Sequence, residues 1–154
     1  MPNQPQPVTQ AHEQEEPAPS LSADNGQLLV VGIGASAGGL DAIGELMRHV
    51  ASDVAYIVVQ HLAPDHESFL TQLLARSSAM QFVTAADGLA LQSNHVYVIP
   101  PNADLAVERG VLRLTPPSGS QRPHLPIDNL FRSLAQDLEH AAIGVVLSGT
   151  GTDG

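Results

Sequence analysis

Leu28-Leu29-Val30-Val31-Gly32-Ile33-Gly34-Ala35-Ser36-Ala37-Gly38-Gly39-Leu40 is the stretch on which the fold turns. Leu28–Ile33 is a continuous apolar run, as expected for a strand covered on both faces. A turn of glycine, alanine and serine follows it. From Gly38 to Val50 the apolar residues Leu40, Ile43, Leu46, Met47 and Val50 recur at helical spacing. Strand, small-residue turn and helix, in that order, form the opening unit of an α/β domain.

Downstream, the same alternation continues. Ala55–Val59 reads as a second buried strand, and Glu67–Arg76 as a helix with Phe69, Leu70, Leu73 and Leu74 on its apolar face. Gln81–Thr84 is a short strand before an Asp87-Gly88 turn, and His95–Ile99 is a strand stopped by Pro100-Pro101. Asp104–Val107 and Val111–Leu114 flank Arg109-Gly110 as a β-hairpin. After a loop over 115–126 with four prolines, Ile127–Glu139 is predicted helical and Ala142–Leu147 a third buried strand, leaving Ser148–Gly154 as a Gly/Thr loop. The pattern predicts an α/β fold: a mostly parallel sheet flanked by helices, with the hairpin as an antiparallel insertion at its edge.

Upstream, residues 1–26 are rich in Pro, Gln, Glu and Ser and nearly empty of large apolar side chains. Such a stretch buries too little surface to offset its ordering entropy, so it is predicted to be a disordered tail, with the domain spanning 27–154. With 154 residues the chain suffices for one domain with a real core. No apolar run reaches bilayer length, and no basic region precedes an apolar stretch at the N-terminus. The absence of cysteine removes disulfides, thiolate catalysis and thiolate zinc sites together, and is compatible with a reducing cytoplasm. A net charge of −10 argues against nucleic acid and anionic lipid as partners. All six basic residues are arginine, so neither a P-loop lysine nor a Schiff-base lysine is present.

The small-residue turn supports three readings. Gly32, Gly34 and Ala37 fit the dinucleotide fingerprint G-x-G-x-x-A, but the second strand ends in Gln60-His61, where that motif wants an acid for the ribose. Gly34-Ala35-Ser36-Ala37-Gly38 fits the nucleophile elbow G-x-S-x-G, which presents a serine Oγ beyond a strand end beside a helix N-terminus. The third reading is a tight packing turn with Ser36 as a helix cap.

Position favours the elbow. Ligands of open parallel sheets bind outside the carboxyl ends of the strands. Ser36 follows the first strand, His61 the second and Asp153 the last, so three strands would deliver a serine, a histidine and an aspartate to one edge. In that reading Ser36 is the nucleophile, His61 the general base, and Asp153 the group that orients the imidazole. Oxyanion donors would be the backbone N–H of Ala37 and of Thr150. The chain order differs from the serine, acid, histidine order of α/β-hydrolases. A His61/His66 metal pair is disfavoured by Pro64 and by the lack of a third ligand, so no metal or cofactor is called for. His12, His49, His95, His124 and His140 are assigned no site role.

Several segments in this order resemble the CheB-type protein-glutamate methylesterases of chemotaxis: residues 31–39, Val58-Val59-Gln60-His61-Leu62, residues 94–101, His124-Leu125-Pro126-Ile127-Asp128 and residues 145–154. The resemblance implies a doubly wound α/β domain and hydrolysis of glutamate γ-methyl esters on chemoreceptor cytoplasmic domains or similar signalling proteins, in the cytoplasm. Many members also deamidate receptor glutamines. The family's catalytic residues fall on Ser36, His61 and Asp153.

Three departures qualify it. Stand-alone members carry a receiver domain before this one, so the tail here is more like that of hybrids fused to a methyltransferase. Thr150 stands where many members have methionine. Family domains continue past the position of Gly154, so the domain is expected to be C-terminally incomplete. A non-catalytic regulatory or protein-binding module within a signalling hybrid is the alternative these departures keep open.

Overall fold

The computed structural model describes residues 26–36, 39–60, 71–72, 74–76, 78–117, 124–147 and 153. In chain order the elements are β1 (Val30–Ala35), α1 (Leu40–Leu46), β2 (Ala55–Gln60), β3 (Gln81–Thr84), β4 (His95–Val98), β5 (Asp104–Glu108), β6 (Val111–Thr115), α2 (Pro126–Leu138) and β7 (Ala142–Leu147). Residues 71–72 and 74–75 are helical, and the remainder of the helix predicted over 67–76 lies outside the described residues except for Arg76, which is in a turn. A five-stranded sheet runs β3-β4-β2-β1-β7, and every pairing in it is parallel.

The first strand starts and ends two residues later than its apolar run predicts, so both Gly32 and Gly34 lie inside it. The reason is the helix above. Val31, Ile33 and Ala35 pack with Ile43 of α1 and Met47, just past its end, on one face of the sheet. Gly32 and Gly34 alternate to the other face, under α2. A Cβ on Gly32 would stand 2.6 Å from Leu134 Cδ1, and one on Gly34 would overlap Ile127 Cγ2. These glycines let α2 lie directly on the backbone of β1.

A core fills each side of the sheet. On one side Ile127, Leu130, Leu134 and Leu138 form the apolar stripe of α2 and pack against Val30, Ile57, Val59 and Tyr97. On the other, α1 and the buried Leu74 cover Val31, Ile33, Tyr56, Val58 and Val96. The α1 helix is shorter than the pattern predicts because its end tightens: Arg48 N–H donates to Glu45 C=O (3.2 Å) and His49 N–H to Leu46 C=O (3.0 Å), both i→i−3 bonds.

The hairpin forms where predicted, but as a separate two-stranded sheet rather than on the edge of the main one. Arg109 and Gly110 both have positive φ (52° and 71°), as a two-residue type I′ turn requires. Its apolar residues Leu105, Val107 and Leu112 join the core beneath α2. Ser133 Oγ accepts the Val107 N–H at 3.0 Å, and the Asp137 carboxylate accepts the N–H groups of Arg109 and Gly110. These polar side chains tie the hairpin to α2.

The expectation of a buried final strand is corrected. Among the described residues β7 pairs with β1 alone, at the sheet edge, with Ile143 45% and Val146 56% exposed. An apolar run records that a strand suits burial, but not which of its sides another element covers.

Candidate active site

The carboxyl edge of the sheet carries the site. From β1 the chain crosses to β2 on one side, while β7 joins β1 on the other. The direction of winding therefore reverses between β1 and β7, and that crevice is where open α/β sheets take ligands. Ser36 is the first residue beyond β1. Ala35, just before it, is in register with Gln60 of β2 and Leu147 of β7, so Ser36 stands between the ends of both neighbours. The residue is half-buried.

The turn at Ser36 is tight. Its carbonyl accepts the Gly39 N–H at 3.0 Å, and a Cβ on Gly39 would lie 2.7 Å from Ala35 Cβ. Gly39 is thus needed for the chain to double back into α1. β1, Ser36 and α1 follow one another in the order the elbow reading expects, and Gly34 belongs to β1. Together with Gly32, Gly34 is covered by α2, which also removes both strand glycines of the dinucleotide fingerprint from reach of a ligand.

Asp153 is seated on the N-terminus of α2. Its Oδ2 accepts the Ile127 N–H at 3.0 Å and its Oδ1 the Asp128 N–H at 2.7 Å. Pro126 opens the helix without an amide, Leu125 caps it with no side-chain hydrogen bond, and the first i→i−4 bond is Asn129 N–H to Leu125 C=O at 3.0 Å. The N–H groups of Ile127 and Asp128, in the first turn, have no intrahelical acceptor, and a carboxylate 26 and 25 residues further along the chain accepts from both. The positive end of the helix dipole favours that charge. A carboxylate has about four acceptor sites, so this seating is compatible with a further bond to an imidazole N–H.

His61, Ala37 and Thr150 lie outside the described residues, as does His66. Of the five candidate site residues, Ser36 and Asp153 are described, the first directly beyond β1 and the second on the N-terminus of α2. Gln60, immediately before His61, ends β2 with only 7% exposure, and its Oε1 has no hydrogen-bond partner among the described residues. Such a buried, unpaired acceptor costs roughly 1–3 kcal/mol.

Sequence reasoning assigned no role to His124, yet its Nε2 lies 2.9 Å from Oδ1 of Asp104, whose side chain is 9% exposed. With the carboxylate as acceptor, Nε2 carries the proton. The pair ties the residue two before α2 to the start of the hairpin. Its signal in the sequence was faint, because the partners are 20 residues apart in a proline-rich stretch.

Fold and edge define a three-layer α/β domain whose candidate nucleophile stands at the switch point of a parallel sheet. The chain belongs to the CheB methylesterase family, whose sequence pattern it matches over residues 31–154. It is similar to the protein-glutamate methylesterase/protein-glutamine glutaminase of Treponema denticola, at 27% identity over 97% of this chain and 42% of that one. An enzyme of the same description from Xanthomonas oryzae pv. oryzae is 35% identical over 81% of this chain and 36% of its own length. The chain thus spans about two fifths of the length of these relatives. The crystal structure of the Thermotoga maritima CheB methylesterase catalytic domain superposes with a TM-score of 0.71 at 25% identity, over 83% of this chain and 71% of that one. Among the described residues no helix is long and apolar enough to cross a membrane.

Proposed function

We propose that this chain is the catalytic portion of a protein-glutamate methylesterase that hydrolyses glutamate γ-methyl esters on chemoreceptor-like proteins in the cytoplasm. In the same reading it deamidates glutamines through the same serine. The observation that carries the proposal is the position of Ser36, the first residue beyond β1 at the β1–β7 switch point.

In the first step Ser36 Oγ attacks the ester carbonyl while His61 takes its proton. The backbone N–H groups of Ala37 and Thr150 receive the developing oxyanion. Collapse expels methanol, which takes the proton from His61, and leaves the glutamyl group on Ser36. Water, deprotonated by His61, then releases glutamate and restores the serine. For glutamine the leaving group is ammonia. Asp153 orients His61 and stabilises its charged form.

A fluorophosphonate probe tests the nucleophile. Labelling is expected at Ser36 and absent in Ser36→Ala, which should also lose methanol release by about three orders of magnitude or more. Folded protein that takes no label would favour a non-catalytic binding module instead.

A further inference from the structure

Among the described residues Asp104 is the one charged residue that is buried, at 7% exposure. It opens β5 opposite Thr115 of β6, so the hairpin fixes its backbone. Its Oδ1 accepts the His124 Nε2–H at 2.9 Å. A buried carboxylate is strongly destabilising without a partner, so this contact holds both residues in place.

The contact lies at the end of α2 that serves the candidate site. Ser133 and Asp137 tie the middle and the last turn of the helix to the hairpin. His124, two residues before Pro126, ties its start. Over β1, Ile127 lies against Gly34. Towards the loop that leads into β5 the packing is incomplete, and a cleft of about 110 Å³ is lined by Pro100, Pro101 and Asn102 and by His124 and Pro126. Beside that gap the bond to Asp104 supplies a link that apolar contact does not. The amides that follow, of Ile127 and Asp128, hold the Asp153 carboxylate. A displacement of about 1 Å in such a group costs on the order of a hundredfold in rate.

We propose that His124 is a positioning residue: its bond to Asp104 fixes the start of α2, and through the Ile127 and Asp128 amides it fixes the carboxylate of Asp153. The inference rests on the esterase reading, in which Asp153 orients His61.

Methanol release from N-acetyl-glutamate γ-methyl ester N-methylamide tests it. In His124→Leu kcat should fall about tenfold or more, with KM within about twofold. His124→Gln, whose side-chain amide offers an N–H at a similar reach, should recover kcat to within about threefold. The amide protons of Ile127 and Asp128 should move upfield in His124→Leu, as their bonds to the carboxylate weaken, and hold in His124→Gln. His124→Leu combined with Asp104→Asn leaves no buried charge unpaired, and should show the same loss of kcat in a folded chain. Full kcat in that double variant, no recovery in His124→Gln, or a fall in kcat with both amide protons unmoved overturns the positioning role alone. So does unfolding of the double variant, which would make the pair a framework contact. If the unmodified chain releases no methanol and Ser36 takes no fluorophosphonate, the esterase reading falls, and the role of His124 with it.

Discussion

At the scale of single residues, the informative groups are polar ones in apolar surroundings. Asp153 caps a helix it is remote from in sequence, so its replacement removes both a proposed catalytic group and the α2 cap. Tyr56 and Tyr97 are the two tyrosines of a chain without tryptophan. Burial pushes the Tyr56 phenol up from its usual 10.0, Asp53 adds to the rise, and the Ala51 N–H donated to its oxygen opposes it. Burial likewise raises Tyr97, against the Gln92 N–H it accepts, and its own O–H donates to Ala90 C=O at 3.0 Å. With folded values above the unfolded one, the native state holds protons that the unfolded chain has released. The stability this represents is fully present below pH 10.0 and is lost as pH rises through the folded values. Phenolate absorbance should therefore titrate above 10.0 in the folded chain and return towards it in concentrated urea. Coincident curves would contradict the burial of both rings.

At the scale of elements, the contact of α2 with β1 sets the site. The helix lies on Gly32 and Gly34, and its first amides hold Asp153. Gly34→Ala should force Ile127 and the helix start outwards, at a cost of about 1–3 kcal/mol in urea unfolding. Ile127→Ala should relieve that clash, so the double variant should be more stable than the sum of the single losses. Strict additivity would show that the helix does not press on Gly34. Much of this was legible beforehand: the amphipathic helix, the β1 run and the small-residue turn were all visible as patterns. What the glycines are for was not, because G-x-G-x-S-x-G fits an elbow, a phosphate loop and a helix contact equally well until a helix is seen above them.

At the scale of the molecule, the described sheet carries an apolar core on each face and is bordered by β3 and β7. Among the described residues Ile143 and Val146 are exposed on β7, and an apolar strand left uncovered in this way pairs readily with a further strand. Val146→Lys should leave the unfolding free energy within about 0.5 kcal/mol and reduce self-association seen by light scattering. Unchanged scattering would mean that this edge is not a contact surface.

By itself, the sequence determined the α/β class, the place of Ser36 after the first strand, and the family, since local periodicity and short ordered motifs are properties of neighbouring residues. Only the tertiary structure decided that the hairpin packs under α2, that β7 pairs with β1 alone among the described residues, that Asp153 rests on Ile127 and Asp128, and that a cleft lies beside Pro100 and Pro101. Each of these depends on which distant surfaces meet, and the free energy of burial and hydrogen bonding that selects those meetings is not written in any single stretch of chain.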